Sequence, residues 1–208
     1  MQSGAIRPIP NMLPRQLFNE EHEAFRETVR KFYEKEVIPN IEKYEKQQHV
    51  DRDLWNKAGE LGLLCTTMPE QYGGSGVDRL YSMILIEEQA YAMDSSTGFS
   101  LHSDIVANYI NNFGNEEQKQ KWLPTMATGE VVTAIAMTEP GTGSDLQAVR
   151  TTAVLEGDEY VINGEKMWIT GAGYSDFFFV LAKTDPDAGY RGMSGFIVEK
   201  DAEGFSLG

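Results

Sequence analysis

A single cysteine, Cys65, serves the whole chain, so no internal disulfide can form. A lone thiol without metal-type partners nearby suits a reducing compartment and reads as a small buried core residue. Basic residues are scarce against acidic ones: 18 Lys plus Arg face 32 Asp plus Glu, a formal net charge of -14. Such a surface repels phosphate backbones at long range, which argues against a nucleic-acid partner. Long apolar runs are missing too. The most apolar one, Phe177 to Ala182, is too short to span a bilayer and suits a buried strand. The N-terminus, MQSGAIRPIPNMLPRQ, lacks the apolar centre of a targeting segment; with Pro8, Pro10 and Pro14 it reads as an extended arm over residues 1–18. The three histidines, His22, His49 and His102, lie too far apart for metal-ligand spacing, so no metal site is expected. His102 reads as a satisfied or solvent-facing ring.

What is present is a chain of 208 residues, enough to bury a real core in one large or two small domains. From Asn19 to Gly129 the apolar spacing is helical. Asn19 can cap a helix opening on Glu20 and Glu21, with Phe25, Val29, Phe32, Tyr33 and Val37 on one face and Pro39 to kink or end it. Asp51 and Asp78 can cap a second and a third helix. A fourth is predicted from Gly98 to Phe113, and Asn115 with Gln118 makes a capping box for a fifth, which Pro124 shortens or bends. After Gly129 the signal turns to strands: Val131–Met137, Thr151–Leu155 and Tyr160–Ile162 flanking the polar turn Glu156-Gly157-Asp158, then Lys166–Thr170, Phe177–Ala182 and Gly195–Glu199, with Asn163-Gly164 as the strongest short hairpin signal. The prediction is an α+β chain, a five-helix bundle followed by an antiparallel meander or small barrel.

The stretch Ala136 to Asp145, AMTEPGTGSD, leaves the first strand with two glycines and three hydroxyls. A dinucleotide fingerprint needs a third glycine and a following helix, and a P-loop needs Gly-Lys-Ser/Thr; neither is here. Two readings stay open: plain turn chemistry, or a loop whose backbone and the hydroxyls of Thr138 and Ser144 approach a ligand closely. Further on, Lys166-Met167-Trp168-Ile169-Thr170 places an indole two positions from a hydroxyl, on one face of the predicted strand. Trp168 is either core filler or one wall of a bed for a planar ring.

Taken together, these segments resemble the acyl-CoA dehydrogenase family. AMTEPGTGSD, GDEYVINGEKMWITG and the ending SGFIVEKDAEGFSLG are similar to its middle β domain, here 130–208, and residues 19–129 to its N-terminal helical domain. EEQAYAMDSSTGFSLHSDIVANYI looks most like the long-chain members. The resemblance implies an FAD cofactor, with Ile135, Met137 and Thr138 along the isoalloxazine edge and Gly143 and Ser144 closing the loop. It also implies that Trp168 covers a ring face beside Ile169, while the Thr170 hydroxyl approaches the reactive ring nitrogen. Ser144 would touch the carrier arm of an acyl-CoA substrate, and Tyr190 or Arg191 its polar portion.

The implied reaction is α,β-dehydrogenation of a fatty acyl-CoA to the trans-2-enoyl-CoA, in fatty acid β-oxidation. An electron-transfer flavoprotein would be the acceptor and a homotetramer the full-length assembly, in the mitochondrial matrix or a bacterial cytoplasm. The family's catalytic glutamate belongs to a C-terminal helical domain. The chain is therefore expected to be an N-terminal portion with an incomplete β domain, without the base and inactive alone. Glu139 reads as a loop-fixing acceptor rather than a replacement base, and Glu87 and Glu88 as a helix surface or an internal salt bridge. An acyl-CoA oxidase-like flavoenzyme and a non-catalytic module on the same fold are the alternatives.

Overall fold

The computed structural model describes residues 16–208, so most of the arm expected over 1–18, with its three prolines, lies outside the described residues. The chain divides into two compact units after Val131.

The first unit is helical. Helix α1, Glu20–Phe32, starts at a reciprocal cap in which the Asn19 side chain accepts from the His22 amide (3.0 Å) and His22 Nδ1 from the Asn19 amide (3.2 Å). Glu20, Glu21 and Glu23 lie at its positive end, and Arg30 and Lys31 at its negative end. Pro39 does not end the helical path. The chain continues through a wide turn at Tyr33–Val37 and a tight one at Ile38–Asn40 into α2, Ile41–Gln47. Pro39 sits at the start of the tight turn, where its missing N–H leaves no bond unmade. Hence there are six α-helices among the described residues where five were expected.

Helix α3, Arg52–Glu60, follows Asp51, but that side chain does not cap it; Lys43 and Gln47 hold the carboxylate instead. Helix α4, Arg79–Tyr91, is capped by Asp78, which accepts from the Leu80 amide at 2.8 Å. The internal salt bridge is the reading that holds for Glu88. It is fully buried and accepts from Arg30 at 2.9 Å and Arg26 at 3.2 Å, tying α4 to α1, and Glu87 takes Arg26 at 2.7 Å. A wide helical turn at Leu101–Val106 runs into α5, Ala107–Phe113, and α6, Glu116–Ala127, starts at the Asn115–Gln118 capping box and runs through Pro124.

The second unit is one five-stranded sheet: β1 Thr133–Ala136, β2 Thr152–Glu156, β3 Glu159–Asn163, β4 Phe177–Lys183 and β5 Met193–Glu199. The sheet is mixed rather than antiparallel throughout. β4 pairs antiparallel with β5 along its whole length, but parallel with β1, Thr133 opposite Phe177 and Ala136 opposite Val180. Parallel pairing needs a long crossover, and the excursion between β1 and β4, which contains the β2–β3 hairpin, supplies it. That hairpin turns at Gly157-Asp158, within the polar turn expected between these two strands, whereas Asn163-Gly164 closes no hairpin: Asn163 ends β3 and Gly164 opens the irregular stretch after it. Gly164 serves a different need, since a Cβ there would lie 2.3 Å from Thr151 Oγ1. Nor is Lys166–Thr170 a strand: Trp168 at φ 59° and Gly171 at φ 77° occupy left-handed backbone, which extended pairing cannot accommodate. The core under β1 and β4 is Ala134, Ala136, Phe178 and Val180, with Ile169, Ala172, Val198 and Phe205 packed against it. No helix among the described residues is long and apolar enough to cross a membrane.

Candidate functional site

Two irregular segments meet beyond the end of β1. In the first, the backbone of Glu139 and Thr142 exchanges two hydrogen bonds of 3.0 Å, closing a tight turn over Pro140-Gly141. Gly143 and Ser144 follow it, both exposed. In the second, the Met167 amide donates to the Thr138 carbonyl at 2.9 Å, setting Trp168 and Thr170 beside the Thr138 turn. The structure thus gathers Thr138, Trp168, Ile169 and Thr170, with Met137 next to Thr138 in the chain and Ile135 half-buried on the face of β1 opposite Ala134 and Ala136.

Trp168 is not core filler: its residue surface is 85 % exposed. Ile169 turns inward onto the sheet core while Trp168 and Thr170 face solvent, so the alternation expected of a strand survives without strand pairing. A tryptophan in left-handed backbone stores strain of about 1–3 kcal/mol, and it persists only where surrounding contacts over-determine it. Here the Met167–Thr138 bond on one side and Ile169 burial with the Ala172 amide on the Ile169 carbonyl (3.2 Å) on the other supply those contacts. A planar, polar-edged group fits beside these residues. Cβ atoms added at Gly141, Gly143 or Gly173 would meet nothing within 4 Å, so the loops border open space, and the exposed Trp168 lies two residues from Thr170 in a segment bonded to the Thr138 carbonyl.

Beneath the turn, the Glu139 carboxylate is buried among donors: the Arg150 amide at 2.7 Å, the Thr151 amide at 3.0 Å, the Thr151 hydroxyl and Lys166 Nζ at 2.9 Å. Burial by itself would push this carboxyl up; the hydroxyl, the two amides and the ammonium prevail and hold it down at about 2. Burial also lowers the Lys166 ammonium, against the pull of Glu139. The expectation of a loop-fixing acceptor gave no hint of which donors it fixes. Thr151 and Lys166 were read only as strand residues and Gly164 only as a turn residue, because only the tertiary fold brings them to Glu139.

Tyr190 and Arg191 are exposed on the β4–β5 connection, Pro186–Gly192, which lies against the short turn Leu146–Ala148 that follows Ser144. Arg191 Nε donates to the Tyr190 hydroxyl at 3.1 Å. In the helical unit, His102 is the satisfied ring of the two expected alternatives: fully buried, with Nε2 and the Met126 carbonyl 3.0 Å apart and its ring edge-on to Trp55. Burial pushes its pKa down to about 4.

Comparison with known proteins adds a second line of observation. The family model described as "Acyl-CoA dehydrogenase, N-terminal domain" matches residues 19–130, and the one described as "Acyl-CoA dehydrogenase, middle domain" matches 134–208. A long-chain specific acyl-CoA dehydrogenase of Rattus norvegicus mitochondria is 48 % identical over 100 % of this chain and 49 % of its own length. The crystal structure of acyl-CoA dehydrogenase from Geobacillus kaustophilus is 47 % identical with a TM-score of 0.89, over 93 % of this chain and 51 % of that one. The Bacillus anthracis acyl-CoA dehydrogenase, solved in complex with FAD, is 41 % identical with a TM-score of 0.81, over 93 % and 33 % respectively. The chain spans about half the length of the curated relatives it matches.

Proposed function

The chain belongs to the acyl-CoA dehydrogenase family, and from that membership we propose that it supplies the flavin bed and part of the substrate site of an FAD-dependent fatty acyl-CoA dehydrogenase. The helical unit serves as the N-terminal domain (19–129) and the sheet unit as the middle β domain (130–208). The observation that carries the reading is a strained, exposed indole fixed beside the Thr138 turn by the Met167–Thr138 bond.

Bound FAD supplies the acceptor for the hydride that leaves the substrate β carbon. The chain's own residues do the rest of what is assigned to it. The Thr138 hydroxyl, with backbone groups of Met137 and Ile135, would hold the ring edge; Trp168 would cover one face and keep water from it; Thr170 would offer a hydroxyl donor to the ring. Ile169 holds this segment down, and Gly143 lets the backbone approach. Ser144 meets the thioester's carrier arm, and Tyr190 with Arg191 its polar portion, the guanidinium matching phosphate.

No carboxylate described here is assigned as the base that removes the α proton. The family resemblance places that base in the C-terminal helical domain, and the reading follows it; Glu139, committed to four donors, and Glu88, committed to two arginines, are not substitutes for it. Electrons pass on to an electron-transfer flavoprotein, and the complete assembly is a homotetramer.

A chimera tests this. Residues 19–208 replace the matching stretch of the Geobacillus kaustophilus relative, and palmitoyl-CoA is added without oxygen. The reading predicts bleaching of the flavin band, reversed by an electron-transfer flavoprotein. Bleaching reversed equally fast by air favours an oxidase, and a flavin-loaded chimera that palmitoyl-CoA leaves unbleached contradicts the reading.

A further inference from the structure

One buried ion pair ties together three stretches of chain in the sheet unit. Glu139 directly follows Thr138, Lys166 precedes Met167-Trp168, and Arg150-Thr151 lead into β2. The Glu139 side chain is 5 % and the Lys166 side chain 11 % exposed, with Nζ and Oε1 2.9 Å apart. Lys166 grips the turn twice, since Nζ also donates to the Met137 carbonyl at 3.2 Å. One residue on, the Met167 amide reaches the Thr138 carbonyl at 2.9 Å. Gly164 makes this approach possible, because any side chain there would strike Thr151, whose hydroxyl donates to Glu139.

Burying two charges is costly, and an apolar pair of similar volume holds segments together as well or better. What an ion pair adds is geometry: a carboxylate with four donors and an ammonium with two acceptors each fit one arrangement of the surrounding backbone. That arrangement carries the Thr138 hydroxyl on one side and Trp168 with Thr170 on the other. We infer that Glu139 and Lys166 are positioning residues for the flavin bed, locking the Thr138 turn to the Trp168 loop at the one separation that lets hydroxyl and indole meet the ring together. The inference rests on the flavin reading above.

The test compares the 208-residue chain with Glu139→Gln, Lys166→Met and Lys166→Arg. Tyr160→Ala, which removes a ring contact to Phe196 at 5.1 Å away from these loops, is the control for general stability. Lys166→Met leaves Glu139 with its three other donors and keeps the test open should Glu139→Gln fail to fold. Two quantities are read: hydrogen exchange at the Met167 amide without ligand, and FAD titration followed by quenching of the Trp168 emission, obtained by difference from Trp168→Phe.

Glu139→Gln and Lys166→Met should each speed Met167 exchange and weaken FAD binding by about tenfold or more, with less quenching at saturation, while Lys166→Arg restores most of both. Tyr160→Ala should lower the melting temperature and change neither reading. Unchanged exchange and FAD affinity in either folded variant would overturn the positioning role alone, and so would equal losses in Tyr160→Ala. A parent chain that leaves the FAD spectrum unaltered would overturn the flavin reading and this inference with it.

Discussion

Glu139 and His102 are both buried, and each is held in the form that acid removes. The Glu139 carboxyl lies at about 2 in the folded chain against an ordinary 4.5, so the unfolded chain takes up the proton first as pH falls. The stability this carboxylate contributes is complete above pH about 4.5 and is lost on the way down to about 2, on the order of 3 kcal/mol in all. For His102 the folded value is about 4 against 6.5, so the same direction holds over a higher window. The neutral ring's contribution is present above pH about 6.5 and lost, again on the order of 3 kcal/mol, by about 4. Urea unfolding between pH 7 and 3 should therefore show His102→Gln flattening the pH dependence in the upper part of that range. Glu139→Gln should be far less stable than the parent at pH 7 and approach it at pH 3. A His102→Gln slope identical to the parent's would refute the assignment of the upper window.

At the level of elements, glycines separate steric need from backbone need. Gly129, just past α6, has φ 74° and a Cβ there would lie 2.2 Å from the Trp55 carbonyl oxygen; Gly157, in the β2–β3 turn, has φ 66° and open space around it. Gly157→Ala should cost about 1 kcal/mol, the backbone penalty alone. Gly129→Ala should cost well over twice that in thermal unfolding, since backbone must move; equal costs would show that the α6 end yields freely. At the other end of α6, Asn115→Ala should lose about 1 kcal/mol with its cap. The caps at Asn19, Asp78 and Asn115 were legible in sequence because a cap is settled within four residues. Asp51 was misjudged because Lys43 and Gln47 compete for its carboxylate. The parallel pairing of β1 with β4 was not legible, since partner choice is made across a long crossover. Lys166–Thr170 alternates like a strand, yet the Met167–Thr138 bond and Ile169 burial hold Trp168 in left-handed backbone. Of the candidate site, the motifs singled out Thr138, Trp168 and Thr170, which the fold brings to neighbouring loops, and Glu139 as a loop-fixing acceptor; its donors, from the two segments at Arg150-Thr151 and Lys166, were not legible.

Across the whole molecule, two compact units lie within one chain that matches the N-terminal and middle domains of its family in order. The proposed flavin bed lies on the end of β1 and the loops of the sheet unit, which gives ligand linkage a definite form. FAD at a hundred times its Kd should stabilise the chain by about 2.7 kcal/mol, a shift that the tenfold or greater weakening expected for Trp168→Ala should cut to about half or less at the same concentration. The central claim, that the Thr138 turn and the Trp168 loop together hold the ring, is tested most directly by titrating the 208-residue chain with FAD and following the visible absorbance. The account predicts shifted, resolved flavin bands that saturate, with affinity falling about tenfold or more in both Trp168→Ala and Thr138→Ala. A spectrum that stays that of free FAD throughout, or bands that both variants reproduce at the same affinity, would contradict it.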